Sequence, residues 1–302
     1  MAVKIYTTKS GITRRLKNAG IKKFSKPTLD NISIMIEIDD HVSSVDRTQK
    51  LLEQKAGEFL KLGVGKYEIN KVHEMANEVA AERDFLSRLY KNTCGRSWTS
   101  HKNWDTSAAL DMWEGVVMTK TVSVVNNVLV YTNRVKSLTL RNNYLHGNYS
   151  QGARGDIPDD IEKLTCLEAL SLHYNFLSDS LPPTLGNLRN LKVLHLEFNQ
   201  IMGKLPHLDH MDSLEELYLN HNRLEGSIEE LTKLKKLKKC HIYHNKFSGK
   251  VPEELADKID LTEFKFYNNY MQIGSKVQAR IESDSGWQGR TDSEQPAYIV
   301  YE

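Results

Sequence analysis

The chain has 302 residues, enough to bury a sizeable hydrophobic core in one large or two small domains. Hydrophobic residues make up 39% and charged residues 26%, as is ordinary for a globular protein. No apolar run has the length expected of a signal peptide or a transmembrane span, so we expect neither secretion nor membrane insertion. The net charge of +2 hides a strongly basic N-terminus, because residues 1–27 carry no acidic side chain.

The N-terminal segment 1–44 is predicted to be a basic, extended arm. Positive charge with little apolar content should keep residues 1–27 unfolded on their own, whereas Ile32–Ile38 alternates like a strand. The arm would neutralise phosphates on RNA or bind an acidic protein surface; a mitochondrial targeting peptide and a solvated tail are the alternatives. The predicted anchoring residues are Lys4, Lys9, Arg14, Arg15, Lys17, Lys22, Lys23 and Lys26.

Residues 45–91 are predicted to be helical, because apolar side chains recur there at helical spacing. The glycines within Gly63–Asn70 favour a turn between two helices. Residues 92–133 are rich in tryptophan and end in two alternating runs around Asn126 and Asn127, which predict a β-hairpin.

Residues 134–271 contain six copies of the pattern Leu-x-Leu-x-x-Asn-x-Leu, some with another apolar residue in place of a leucine, and the gaps between the asparagines are 32, 24, 23, 23 and 24 residues. A period of this form is typical of a leucine-rich repeat solenoid. The leucines should stack inward between neighbouring coils, and each asparagine should bond backbone groups where the chain leaves its strand. The predicted fold class is therefore α/β, a solenoid of about six 23–24-residue repeats with an N-terminal helical and cap region. The asparagines are Asn143, Asn175, Asn199, Asn222, Asn245 and Asn269.

Residues 272–302 are predicted to be a C-terminal tail, in which Ala297–Tyr301 could add a strand.

The outward positions beside the buried leucines are rich in histidine and aromatic residues and should form the concave face of the solenoid. Exposed aromatic side chains act as rigid anchors at protein interfaces, so we predict that this face binds a partner protein. The alternative is that tyrosine and histidine are simply tolerated at solvent-facing strand positions. The predicted binding face consists of Arg141, His173, Tyr174, His195, Glu197, Phe198, Tyr218, His221, His241, Tyr243, His244 and Tyr267.

No catalytic residue, cofactor or metal site is predicted, and the chain is not expected to be an enzyme. The sequence lacks a glycine-rich phosphate loop, a paired-histidine zinc motif and a nucleophile elbow. His221 and His244 fall in one column of neighbouring strands, but zinc requires three or four ligands, and only His241 or Glu197 offers a third.

The tryptophan-containing stretch 89–98 and the element Gly155–Pro158 carry a family resemblance. The segment Glu82–Met271 resembles plant-type leucine-rich repeat proteins and their bacterial and protist relatives. The resemblance implies a leucine-rich repeat fold with that family's N-terminal cap. Plant ectodomains usually bracket the cap tryptophan with a disulfide, but the matching positions here are Asp111 and Met118. That departure agrees with an intracellular or microbial version.

We therefore predict a non-enzymatic scaffold or structural subunit of a multi-protein intracellular assembly, with one partner on the concave face and another on the basic arm. Three cysteines without a secretory signal favour a reducing compartment, cytoplasmic or cytoskeletal, with mitochondria as the alternative. A competing interpretation is a secreted or surface recognition receptor or inhibitor that binds a peptide, a glycan or a foreign protein. A second alternative is an RNA-associated subunit that binds through the arm.

Overall fold

The computed structural model divides the chain into two compact units. We call one the N-terminal unit (Met1–Ser87 and Asp105–Val135) and the other the repeat unit (Arg88–Trp104 and Lys136–Glu302). The residues that the structure describes are 3–6, 12, 14, 34–38, 53–55, 57–126, 128–148, 150 and 152–289.

The N-terminal unit contains a small mixed sheet. Strand β1 (Val3–Tyr6) pairs antiparallel with β2 (Ile34–Ile38), and β2 pairs in parallel with residues 128–132 of β4 (Val128–Thr139). Strand β3 (Val116–Val125) also pairs with β4, so the two strands flank Asn126. All five residues of β2 are buried, which explains why this short apolar run forms a strand.

Helical segments cover the core of this unit. Residues 53–55 and 57–61 are helical, and the long helix α1 (Lys66–Asn92) follows. The turn between them is shorter than predicted, since the helix resumes at Lys66 rather than after Asn70. None of the described helices is long and apolar enough to cross a membrane. The buried apolar cluster comprises Ile34, Ile36, Ile38, Phe59, Val64, Ile69, Val72, Ala76, Val128 and Val130.

The structure describes only parts of the segment 1–44, which was predicted to be a basic, extended arm, and two of these parts are strands, one of them within the run whose alternation is strand-like. Val3–Tyr6 and Ile34–Ile38 belong to the sheet, because pairing satisfies their backbone hydrogen-bonding groups and the isoleucines of β2 are buried. Lys4 lies in β1, and Arg14 is exposed. The other predicted anchoring residues lie outside the described residues: Lys9, Arg15, Lys17, Lys22, Lys23 and Lys26.

The repeat unit contains one short parallel strand per repeat, and the structure confirms the predicted solenoid. The central residue of each three-residue strand is buried and its two neighbours are half-buried, as inward-stacking leucines require. In sheet order the strands are the C-terminal part of β4, β5 (Ala169–Ser171), β6 (Val193–His195), β8 (Glu216–Tyr218), β10 (Lys239–His241) and β12 (Glu263–Lys265).

A second parallel sheet and short 3-10 helices complete the coils. The coils approach one another closely, since a Cβ atom on Gly186 would lie 1.8 Å from the carbonyl oxygen of His207. The second sheet contains β7 (Met202–Gly203), β9 (Arg223–Gly226), β11 (Lys246–Lys250) and β13 (Tyr270–Gln272). The 3-10 helices of the repeats are Ile161–Lys163, Pro183–Asn187, Glu229–Lys233 and Glu253–Asp257.

The six asparagines bond neighbouring coils together, and we call them the asparagine ladder. Asn222 is representative: its Oδ1 accepts the N–H of Ile201 at 3.0 Å, and its Nδ2 donates to the carbonyls of Leu196 at 2.9 Å and Leu219 at 3.0 Å. Asn143, at the first repeat, accepts the N–H of Ser100 at 2.7 Å and donates to its carbonyl at 2.8 Å. The predicted backbone role of the asparagines is thereby observed.

Aromatic rings cap the N-terminal end of the repeat unit. Tyr90 and Trp98 meet edge to face with 5.1 Å between centroids, and Trp98 meets Trp104 in the same way at 4.8 Å. The indole N–H of Trp98 donates to the carbonyl of Thr93 at 2.8 Å, so the ring is buried with its polar atom satisfied.

The C-terminal segment differs from the predicted tail. Helix α2 (Ser275–Ser283) and strand β14 (Trp287–Gln288) extend the repeat unit, and β14 pairs in parallel with β12. Trp287 is buried and donates its indole N–H to the carbonyl of Leu261 at 2.9 Å, which accounts for the ordered end. The strand predicted at Ala297–Tyr301 lies outside the described residues.

Candidate functional site

All twelve residues of the predicted binding face lie within the described part of the repeat unit. The strand register places Ser171 beside His195, His195 beside Tyr218, and Tyr218 beside His241. The face therefore exists as a contiguous set of side chains across neighbouring strands. Its role in binding stays a prediction.

Four rings on successive coils form a continuous column that we call the ring stack: Tyr174, Phe198, His221 and His244. Tyr174 and Phe198 lie 4.4 Å apart between centroids, with 7° between their planes. Phe198 and His221 lie 4.2 Å apart with 14° between their planes, and His221 and His244 lie 4.3 Å apart with 25° between theirs. Tyr174 and His244 are exposed at the two ends of the stack.

The backbone sets this stack by an unusual conformation. The four residues have φ values of 54°, 56°, 55° and 53°, in the left-handed region that costs a non-glycine residue about 1–2 kcal/mol. Asn142 and Asn268 occupy the same position at the two ends of the column, with φ values of 47° and 54°. Asparagine is one of the non-glycine residues that tolerate this region best. Because the two asparagines share the conformation, the coil geometry requires the positive φ whether or not the residue carries a ring.

A second group of rings, on the strands themselves, makes edge-to-face contacts. His195 meets Tyr218 edge to face at 4.5 Å between centroids, and Tyr218 meets His241 in the same way at 4.6 Å. His241 Nε2 lies 2.9 Å from Glu263 Oε1, a residue that the sequence analysis missed. Burial, together with the nearby carboxylate of Glu216, raises the pKa of Tyr218 to about 12, so its phenol is neutral at physiological pH.

A third group, which we call the polar cluster, consists of His173, His195 and Glu197. Glu197 Oε1 lies 3.9 Å from His173 Nδ1 and 3.7 Å from His195 Nδ1. Burial lowers the pKa of His173 to about 4 and raises the pKa of Glu197 to about 7. Three polar atoms of this cluster are buried without a hydrogen-bond partner: His173 Nδ1, His195 Nε2 and Glu197 Oε2. Buried polar atoms are usually hydrogen-bonded, so these atoms could accept or donate a bond to a ligand.

The remaining predicted residues lie at the two ends of the face. Tyr243 and Tyr267 stack with 4.5 Å between centroids and 20° between planes. Arg141 is exposed at the other end, and its charge contributes to the lowered pKa of His173.

The sequence analysis missed an aromatic extension beside the ring stack. Tyr144 and Phe176 are each about half exposed, and their rings meet edge to face at 5.3 Å. His146 lies 4.8 Å from Tyr144 between ring centroids. Tyr144 and Phe176 each directly follow a ladder asparagine. Including the residue after each asparagine in the predicted face would have identified them. A cleft of about 360 Å³ is lined by Thr99, Asn142, Tyr144, Tyr174, Asn175, Phe176 and Phe198.

Comparison with known proteins agrees with this architecture. Residues 130–273 match the family model described as a leucine-rich repeat region. The chain carries a plant-type leucine-rich repeat region. The chain is 31% identical over 130 residues to Phytosulfokine receptor 1 of Arabidopsis thaliana, an alignment that covers 43% of this chain and 11% of that receptor. It thus spans about a tenth of the length of that relative.

Two solved structures that are similar to this chain are ectodomains from a plant. The leucine-rich repeat ectodomain of the receptor kinase SOBIR1 from Arabidopsis thaliana is 29% identical, with a TM-score of 0.48 over 53% of this chain and 84% of that one. The BIR2 ectodomain from the same plant is 25% identical, with a TM-score of 0.46 over 61% of this chain and 93% of that one.

The likeness to Phytosulfokine receptor 1 contradicts the predicted intracellular location, because that relative is a receptor. The prediction relied on the missing cap disulfide and on Cys94, Cys166 and Cys240, none of which forms a disulfide in the structure. A disulfide indicates an oxidising compartment, but cysteines outside disulfides are compatible with more than one compartment. The intracellular assembly is likewise not supported by the relatives of the repeat region.

Proposed function

We propose that the leucine-rich repeat region is a recognition module that binds a peptide or an extended segment of another protein at the cell surface or outside the cell. The observation that carries the proposal is the run of ordered, partly exposed rings on one side of the repeats. The likeness to Phytosulfokine receptor 1, a receptor named for its ligand, supports the same direction. The module would act by binding and not by catalysis.

The ring stack suits such a ligand because its rings are already immobilised. Aromatic side chains give a large contact area at a small cost in conformational entropy, and fixing them before binding lowers that cost further. Tyr174 and Phe198 belong both to the stack and to the aromatic cleft, so the two features form one continuous surface. An extended segment crossing the strands would contact one ring per repeat.

Selection from a displayed library of random peptides, with the full chain as bait, tests this proposal. We expect enrichment of peptides that lose at least tenfold in affinity for the triple variant Tyr174→Asn, Phe198→Asn and His221→Asn. Asparagine is chosen because the same left-handed backbone position holds Asn142 and Asn268 in the native column.

The matched control is Tyr270→Asn, which removes an exposed tyrosine from β13, outside the predicted binding face. Its affinity for the selected peptides should equal that of the native chain, and circular dichroism should show every variant folded. Failure to enrich any peptide, or equal binding by the triple variant and the native chain, would overturn the proposal.

A further inference from the structure

We propose that His173, His195 and Glu197, the polar cluster, form a binding site for one divalent transition-metal ion, with Zn²⁺ as the reference ion. Each residue offers one ligand atom, and these atoms all lie within 4.8 Å of one another. His195 belongs to β6, while His173 and Glu197 each lie two residues beyond a strand, β5 and β6 respectively. The site does not depend on the peptide-binding function proposed above.

The distances suit an ion. Zinc bonds to imidazole nitrogen and carboxylate oxygen of about 2.0–2.2 Å, arranged tetrahedrally, place ligand atoms about 3.3–3.5 Å apart. Glu197 Oε1 lies 3.9 Å from His173 Nδ1 and 3.7 Å from His195 Nδ1. The two distances to Glu197 therefore exceed that spacing by only a few tenths of an ångström, and the two histidine ligand atoms lie within 4.8 Å of each other.

Unsatisfied polar atoms give a second, independent reason. His173 is about nine-tenths buried, and its Nδ1, which faces Glu197, has no hydrogen-bond partner. Glu197 Oε2 and Asn220 Oδ1 are also buried without a hydrogen-bond partner. Asn220 occupies the position of Glu197 in the next repeat. Leaving such an atom unpaired costs about 1–3 kcal/mol, a cost that an ion bound to His173 Nδ1 would offset for that nitrogen.

The ligand set selects the class of metal. Two imidazoles and one carboxylate favour zinc, copper or nickel over calcium and magnesium, which prefer all-oxygen sites. Three protein ligands leave a fourth position open, as in zinc sites of the two-histidine, one-glutamate type.

The other histidine groups on the repeats lack this combination. His207, Asp209 and Glu230 lie close enough to share an ion, but Glu230 already accepts the backbone N–H of Leu208 at 3.0 Å and contacts His207 at 3.1 Å. The side chain of His207 is also 89% exposed. His221 and His244, the pair suggested by the sequence, stack ring on ring, and Glu197 is instead beside His173 and His195.

The test is titration of the full chain, stripped with a chelator and dialysed, with Zn²⁺ in a calorimeter and with Co²⁺ in a visible spectrometer. We expect one high-affinity Zn²⁺ per chain and the visible absorption of a four-coordinate Co²⁺ complex that Zn²⁺ displaces. The near-isosteric variants Glu197→Gln and His173→Gln should each weaken Zn²⁺ binding more than tenfold and abolish the Co²⁺ absorption.

His207→Gln is the matched control, because it removes a histidine from the exposed group without touching the polar cluster. It should bind Zn²⁺ as the native chain does. The proposal is overturned if the native chain binds no ion, if both cluster variants bind as tightly as the native chain, or if only His207→Gln loses binding. Circular dichroism of each variant confirms that a lost site is not a lost fold.

Discussion

Phe198 and His221 stack face to face on neighbouring coils, with 4.2 Å between ring centroids and 14° between ring planes. Both residues have left-handed backbone conformations, with φ values of 56° and 55°. The native column uses asparagine at this position where it carries no ring, at Asn142 and Asn268. The ring at this position can therefore be replaced by asparagine without changing the left-handed backbone conformation.

The first prediction separates the effect of the ring from that of the backbone at Phe198. Phe198→Asn loses two ring contacts of about 0.5–1.5 kcal/mol each but gains a residue suited to positive φ, so its stability should fall by no more than about 2 kcal/mol. Phe198→Val loses the same contacts and places a β-branched residue in the left-handed region, so it should be less stable than Phe198→Asn by about 1 kcal/mol or more. Urea denaturation of both variants measures the difference; equal midpoints would contradict the backbone argument.

The second prediction concerns the asparagine ladder. Asn222→Ala removes three hydrogen bonds and leaves the N–H of Ile201 and the carbonyl of Leu196 without that partner, so we expect a loss of about 2–3 kcal/mol. Asn190→Ala is the control, because Asn190 is exposed and donates one bond to Thr165 at 2.8 Å. It should cost less than about 1 kcal/mol. Denaturant unfolding compares the two, and equal losses would disprove the role of the ladder.

The third prediction concerns a buried ion pair in the N-terminal unit. Glu82 accepts hydrogen bonds from Arg134 Nε at 2.8 Å and from the N–H of Val135 at 2.9 Å, and both charged side chains are buried. Glu82→Leu leaves the guanidinium without its buried partner and should destabilise this unit by about 3–5 kcal/mol. Glu78 also pairs with Arg134 but is half exposed, so Glu78→Gln should cost at most about 1 kcal/mol. Thermal unfolding followed by circular dichroism distinguishes these outcomes.

The fourth prediction concerns the thiols. Cys240 is fully buried, and that burial raises the pKa of its thiol far above the usual range. Because the thiolate is the reactive form, iodoacetamide should alkylate Cys240 only when the repeats unfold, whereas the half-buried Cys166 should react in the folded chain. Peptide mapping by mass spectrometry after timed alkylation reads out each site. Equal rates for the two thiols in the folded chain would contradict the buried position.

The repeat sequence contains enough information to predict the solenoid and its columns. The period alone identifies which leucines are inward, and the asparagine spacing implies the register that pairs His195 with Tyr218. The pairing of β2 with β4 was not predictable in the same way. Those strands are separated by about ninety residues, and nothing local in Ile34–Ile38 specifies a partner strand. The helix and strand after Gln272 were not predicted for a similar reason. Trp287 is buried there, but it lies outside the repeat pattern, so the repeat period does not predict its contacts.

In the candidate site, too, the sequence does not predict which side chains lie together. The sequence singled out Glu197 as a spare metal ligand but joined it to the column of His221 and His244. In the structure those two rings face one another, and the carboxyl group instead lies near His173 on the neighbouring coil and His195 on its own coil. Which side of a column a long side chain leans toward depends on rotamers and neighbours, and a repeat pattern does not encode these.

The asparagine ladder also gives the solenoid a direction. Asn245 bonds the N–H of Leu224 and the carbonyl of Leu219 in the coil before it, and Asn269 does the same for Phe247 and Ile242. Every coil thus receives hydrogen bonds from the asparagine of the coil that follows it. The last coil has no following repeat to supply such bonds, and α2 with β14 covers that end instead.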